Sequence, residues 1–114
     1  MSRLETLDRA TWRDFLAAPR AVLMLGKSDC AACAQWTAEL TDFLDSDQEF
    51  RDVRFGKILL DKGGLADFKR ENPWIADLDS LPYNVIYAGG EKRKEYAGGG
   101  IERLVNRLRN LADA

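Results

Sequence analysis

The 114-residue chain contains no histidine. That absence excludes Ser-His and Cys-His nucleophile pairs and the zinc sites that use imidazole. There are only two cysteines, Cys30 and Cys33, so four-cysteine zinc and iron–sulfur sites cannot form in one chain. Long apolar runs are also missing. The longest strongly apolar stretch, residues 21–25, is far too short to cross a bilayer, so no membrane partner is expected. The N-terminus, Met1-Ser2-Arg3-Leu4-Glu5-Thr6-Leu7-Asp8, is charged and lacks the apolar core of a secretory signal. Neither charge dominates. Lys plus Arg total 17 and Asp plus Glu 19, a net charge of −2, which gives no global attraction for nucleic acid or anionic lipid. No Gly-x-Gly-x-x-Gly fingerprint occurs, and Gly63-Gly64 does not sit in a phosphate-loop pattern.

What is present is an ordinary globular balance, 46% hydrophobic and 32% charged, which argues against a disordered tail or a disulfide-rich scaffold. The length is that of one domain, and one domain over residues 1–114 is the reading here. A cytoplasmic location is expected. In a reducing compartment a close cysteine pair is catalytic or metal-binding rather than a permanent crosslink.

Hydrophobic periodicity divides the chain into alternating elements. Trp12, Phe15 and Leu16 recur at helical spacing within residues 8–18, with Asp8 or Thr11 as the expected cap and Pro19 as the stop. Residues 21–26, Ala-Val-Leu-Met-Leu-Gly, read as a strand buried on both faces. A helix is predicted from about Cys30 to Asp45, with Cys33, Trp36, Leu40, Phe43 and Leu44 on one stripe and Ser28 or Asp29 as cap. Residues 53–60 form a second strand, parallel to the first through a right-handed crossover. A short helix follows over residues 65–71 and ends at Asn72-Pro73. After Pro82 come a strand at residues 83–87, a Gly89-Gly90 hairpin turn and a polar strand at residues 92–96. Gly98-Gly99-Gly100 reads as a flexible break. Ile101, Leu104, Val105, Leu108 and Leu111 then line a final amphipathic helix. The order describes an α/β sandwich around a mixed sheet of about four strands.

The chemistry resides in Cys30-Ala31-Ala32-Cys33, at a strand-to-helix corner. Residues three apart on a helix lie about 5–6 Å from each other. A disulfide needs α-carbons roughly 4.4–6.8 Å apart, so this pair can close and open with little backbone movement. In the first helical turn, free amide hydrogens and the helix dipole stabilise a Cys30 thiolate. Cys33 falls on the core-facing stripe. Cys30 is therefore the expected nucleophile on a substrate disulfide, and Cys33 the thiol that resolves the mixed disulfide. Lys27 favours the Cys30 thiolate and Asp29 opposes it, with no sign fixed by sequence. Two other readings stay open: a pair of small buried residues, and half of a metal site completed by a second chain. The redox reading leads because both cysteines of the chain fall together at this corner.

With this motif after a strand and opening a helix, the chain resembles the thioredoxin family, as a divergent thioredoxin-like protein. The resemblance runs over about residues 8–111. Residues 21–25 look like the strand before the active site, and residues 53–61 like the next parallel strand with its terminal aspartate. Leu81-Pro82 resembles the family's cis-proline site, and Gly89-Gly90-Glu91 with Tyr96-Ala97-Gly98 the last hairpin and turn. The resemblance implies a three-layer sandwich. It implies a thiol–disulfide oxidoreductase that acts on protein disulfides without a bound cofactor or metal. Electrons come from a separate reductase or small thiol. It places Leu81 and Pro82 across a shallow groove from the cysteines, where family members pair with a substrate strand. The chain departs from thioredoxin in having Asp29 where the family has tryptophan, and Ala31-Ala32 in place of Gly-Pro. Met24 falls where a buried aspartate is expected, which leaves Lys57, the match to a family lysine, without that partner. These departures point to a narrower substrate range, and they keep open a binding module with non-catalytic or regulatory cysteines.

The remaining conspicuous residues have bland readings. Trp74 packs its loop onto the core and Trp36 is core. Asp77 and Asp79 belong to a solvated loop. Lys92-Arg93-Lys94 protects a sheet edge. Lys57 is a partly exposed strand residue.

Overall fold

The computed structural model describes residues 3–111. Met1 and Ser2 of the charged N-terminal segment lie outside the described residues. The elements are β1 (Leu4–Thr6), α1 (Trp12–Leu16), β2 (Arg20–Gly26), α2 (Ala31–Ser46), β3 (Arg54–Leu59), α3 (Ala66–Glu71), a 3-10 turn at Pro73–Asp77, β4 (Tyr83–Ala88), β5 (Glu91–Ala97) and α4 (Ile101–Arg109). The strands form one mixed sheet in the order β1-β3-β2-β4-β5. β3 lies parallel to both β1 and β2, while β4 runs antiparallel to β2 and β5.

The sheet separates two cores, and the pleat of β2 decides which residue goes to which. Val22 and Met24 pack with Trp36, Leu40 and Leu104, beneath α2 and α4. Ala21, Leu23 and Leu25 pack with Phe15, Ile58 and Phe68, beneath α1 and α3. A strand covered on both faces needs apolar side chains at every position, hence the continuous run in the sequence. The expected α/β three-layer sandwich is the observed architecture.

The sheet has five strands rather than about four. The extra one, β1, contains Leu-Glu-Thr, too short for its alternation to stand out. It is held by partners distant in sequence. Leu4 pairs with Phe55 and Glu5 with Gly56. The Arg54 guanidinium donates to both Glu5 carboxylate oxygens, at 2.9 and 2.6 Å. The first helix is shorter than predicted. Asp8 and Thr11 form a closed turn ahead of it, with Asp8 N donating to Thr11 Oγ1 and Ala10 N to Asp8 Oδ1, both at 2.9 Å. Those side chains satisfy the turn's backbone rather than extending the helix. Pro73, expected only to end α3, opens the 3-10 turn. The Gly89-Gly90 hairpin forms as predicted, with φ of 60° and 82°. Such angles suit glycine because it has no Cβ to clash.

Gly56 marks the closest approach of β3 to α1. A Cβ there would lie 2.8 Å from the Phe15 ring and 2.9 Å from Leu7 Cδ1. Phe15 is fully buried, so neither neighbour can swing out to solvent. Gly56→Ala is expected to destabilise the fold by about 1–3 kcal/mol, the usual cost of overpacking, read as a lower denaturation midpoint at unchanged slope.

Candidate active site

The registers bring four loops to one end of the sheet. Gly26 at the end of β2 pairs with Leu59 at the end of β3. Leu25 pairs with Tyr83 at the start of β4, and Tyr83 with Ala97 at the end of β5. The Cys30 loop, the segment around Asp61, Leu81-Pro82 and residues 98–100 therefore share one edge. In open α/β sheets this carboxyl-end crevice is where ligands bind.

Cys30 and Cys33 form a disulfide, with α-carbons 5.2 Å apart. Cys30 itself caps α2, in an extended conformation, and its sulfur accepts the Cys33 N–H at 3.1 Å. This corrects the expectation that Ser28 or Asp29 caps the helix and that Cys30 lies inside the first turn. Ser28 is occupied elsewhere. Its backbone N–H donates to Asp61 Oδ1 at 3.1 Å and its hydroxyl to Asp61 Oδ2. Hydrogen bonds from the Ser28 hydroxyl and N–H, with nearby Lys27, hold the Asp61 carboxyl below its ordinary range. Asp29 remains exposed.

The two sulfurs differ sharply in access. Cys30 is half-buried, whereas Cys33 is 2% exposed. Gly26 makes that burial possible. A Cβ at Gly26 would sit 3.1 Å from Cys33 Sγ, so the strand backbone packs directly on the sulfur. Sequence reasoning did not single out Gly26. The available signal was a glycine closing an apolar strand just before the cysteine motif.

The Leu81-Pro82 bond is cis. Pro82 is buried and Leu81 half-buried against the α1-side core. The triglycine segment is not a flexible break. Gly98 N donates to the Pro82 carbonyl at 2.8 Å. Asn84, fully buried, donates to the Gly98 carbonyl at 2.7 Å and accepts from Trp36 Nε1 at 2.8 Å. A Cβ at Gly99 would lie 3.1 Å from the Trp36 ring. One polar chain thus links the cysteine helix, β4 and the loop beside Pro82. Asn84 was not picked out from sequence, although an asparagine inside Tyr-Asn-Val-Ile-Tyr is a legible signal, because a buried amide must find partners.

Other candidates fall at the periphery. Trp74 is half-buried, 6.4 Å from the Tyr83 ring, with Lys92 Nζ 4.1 Å from its own ring. Asp77 and Asp79 are exposed and have no ion pair among the described residues. Lys92 and Arg93 are exposed on the edge strand β5. No group of His, Cys, Asp and Glu able to hold a metal occurs among the described residues. Nor is any described helix long and apolar enough to cross a membrane.

Solved structures share this architecture almost end to end. Thioredoxin O2 from Arabidopsis thaliana, in its oxidized state, superposes with a TM-score of 0.74 at 21% identity, over 96% of this chain and 95% of that one. Malassezia sympodialis thioredoxin gives 0.77 at 13% identity, over 98% and 93%. The chain has the thioredoxin fold. Chlamydomonas reinhardtii thioredoxin f2 is similar to the same extent, with a TM-score of 0.72 at 22% identity over 96% and 95%. No protein-family model and no curated protein matches the sequence. The likeness is one of backbone architecture, and in this thioredoxin fold Met24, 1% exposed, takes an interior position beside Cys33.

Proposed function

We propose that the protein is a thiol–disulfide oxidoreductase that reduces disulfides in other proteins through Cys30 and Cys33. The observation that carries this reading is the asymmetric pair itself. An accessible sulfur at a helix N-cap accepts a backbone N–H and is joined to a buried sulfur one turn away. The same N–H, with the helix dipole, favours negative charge on Cys30 in the reduced protein.

The cycle balances on sulfur alone. The Cys30 thiolate attacks one sulfur of the substrate disulfide. That S–S bond breaks, and the other substrate sulfur leaves as a thiolate and takes a proton from water. A mixed disulfide now joins Cys30 to the substrate. The Cys33 thiolate attacks Cys30 Sγ, the substrate's second sulfur leaves, and the Cys30–Cys33 disulfide closes. Two electrons pass from dithiol to substrate. A separate reductase or a low-molecular-weight thiol restores them, in a reducing compartment that we take to be the cytoplasm. Leu81 and Pro82 are assigned to the docking edge for an extended substrate segment, because the strand registers bring the turn before β4 to the same end of the sheet as the loop that carries Cys30.

The test is to equilibrate the protein in defined dithiol buffers and trap free thiols by alkylation. The expected result is cooperative appearance of both thiols, with reduction of a disulfide-bonded protein under the same conditions. Absence of an intramolecular disulfide in every buffer would overturn the proposal in favour of a binding module.

A further inference from the structure

Lys94, Arg103 and Arg107 gather beside Tyr96 and meet no acid. On β5, Lys94 pairs with Ile86 and Tyr96 with Asn84, so both stand on the sheet face covered by α2 and α4. Arg103 and Arg107, one turn apart on α4, place their guanidinium carbons 4.9 and 4.2 Å from the centre of the Tyr96 ring. Lys94 Nζ donates to the Arg107 carbonyl at 3.5 Å, which puts it beside the same helix. None of the three cations has an ion pair among the described residues. Glu95 is turned to the opposite face, where it accepts from the Tyr83 hydroxyl and pairs with Lys92. Glu102 adjoins Arg103 in sequence, and adjacent helical positions do not face each other.

Two arginines at this spacing repel each other along a helix. Tyr96 does not neutralise them. Burial pushes its hydroxyl up to about 12 against the pull of both guanidiniums, so the ring stays uncharged at neutral pH. The guanidiniums donate to backbone carbonyls, Arg103 to Ala97 and Gly99 at 3.0 and 3.2 Å, and Arg107 to Arg103 at 3.1 Å. A guanidinium has five N–H donors, so each keeps donors for an incoming carboxylate. The patch begins at the candidate active site, because Ala97 and Gly99 flank Gly98, whose N–H holds the Pro82 carbonyl. From there it runs along α4 and β5, the last strand of the sheet.

We propose that Arg103, Arg107 and Lys94 form a docking surface for an acidic segment of the protein substrate, next to the disulfide that Cys30 attacks. This rests on the oxidoreductase reading and names the class of substrate. Charge complementarity selects the occupant, since uncompensated cations on a chain of net charge −2 mark the face toward which an acidic segment is steered. A single-stranded nucleic acid would need an aromatic face for its bases, and the Tyr96 ring is buried beneath both arginines.

The probes are peptide disulfides identical except that aspartates or asparagines flank the cysteine. At low salt the aspartate peptide is expected to have a kcat/KM about tenfold higher, and the preference should fade as salt is added. Arg107→Gln combined with Lys94→Gln should bring the ratio close to one. Arg107→Glu should turn the preference toward a lysine-flanked peptide. Arg103 is left in place because it holds the 97–99 loop. The ratio between peptides is the readout, so a general loss of turnover cancels. Equal kcat/KM on both peptides in an active protein, or a ratio unmoved in both variants when circular dichroism shows them folded, overturns the docking surface alone. Fluorescence anisotropy of a cysteine-free aspartate peptide on the oxidised protein needs no redox step. Binding that the variants abolish, in a protein inactive on disulfides, overturns only the oxidoreductase reading. A single-stranded oligonucleotide bound at the patch as tightly as the peptide would make it a general polyanion site and overturn the assignment to substrate.

Discussion

Cys33→Ser protein, reduced and mixed with a disulfide-bonded substrate, is expected to stop at a stable mixed disulfide through Cys30. The first attack needs only Cys30, which is the accessible sulfur. The second needs a thiolate held against it, and Cys33 is bonded to Cys30 in the oxidised form seen here. Well-oriented intramolecular attack corresponds to effective molarities that reach about 10⁵ M. Even a small fraction of that advantage leaves resolution by a millimolar external thiol at least about a thousandfold slower. Cys30→Ser protein is expected to form no mixed disulfide and to lose turnover, because Cys33 is nearly sealed from a protein substrate. The species are read by mass under non-reducing conditions. Accumulation of the mixed disulfide in Cys30→Ser instead of Cys33→Ser would reverse the assigned roles.

The second large effect is on stability. Trp36→Ala is expected to cost about 3–5 kcal/mol from lost burial and an unfilled cavity. Trp36 is 1% exposed and packs with Met24, Leu40 and Leu104 in the core beneath α2 and α4. Its indole N–H is also a donor to the buried Asn84 amide oxygen. Total stability of a domain this size is about 5–15 kcal/mol, so the variant should lose much of it. Trp36→Phe separates the contributions. It keeps most of the apolar volume and removes the N–H, leaving a buried acceptor short of a partner at a cost of about 1–3 kcal/mol. Urea denaturation measures both. A cost for Trp36→Phe within the ±0.5 kcal/mol typical of surface changes would show that the Asn84 link contributes little.

These expectations draw unequally on what the chain displays in one dimension. The central strand was readable because burial on both faces forces an unbroken apolar run at residues 21–25. The hairpin was readable because two adjacent glycines supply positive φ, and α4 because its apolar residues keep helical spacing. The cysteine pair and the deeper burial of Cys33 were readable because spacing three and a core-facing stripe are local properties. By contrast β1 has three residues and gains its place from Arg54 and Phe55. Nothing within Leu4–Thr6 announces that. The cap on α2 was misassigned because local preference favours Ser and Asp, while Ser28 is drawn to Asp61, 33 residues away. The triglycine segment looked loose for the same reason. Its order comes from Pro82, Asn84 and Trp36, which periodicity cannot place beside it.

By itself the sequence determined which faces are buried, where the chain turns, and that its only two cysteines meet at a strand–helix corner. Those features depend on backbone periodicity and on the conformational range of glycine and proline, which act within a few residues. Only the tertiary structure decided that Cys30 is the cap, that Gly26 seals Cys33, and that Arg103 and Arg107 converge on Tyr96. Each of those outcomes depends on strand register and on competition for partners between distant residues. Register is settled when the sheet packs against the helices on both of its faces, because a shift of one residue would move every side chain of a strand to the opposite face.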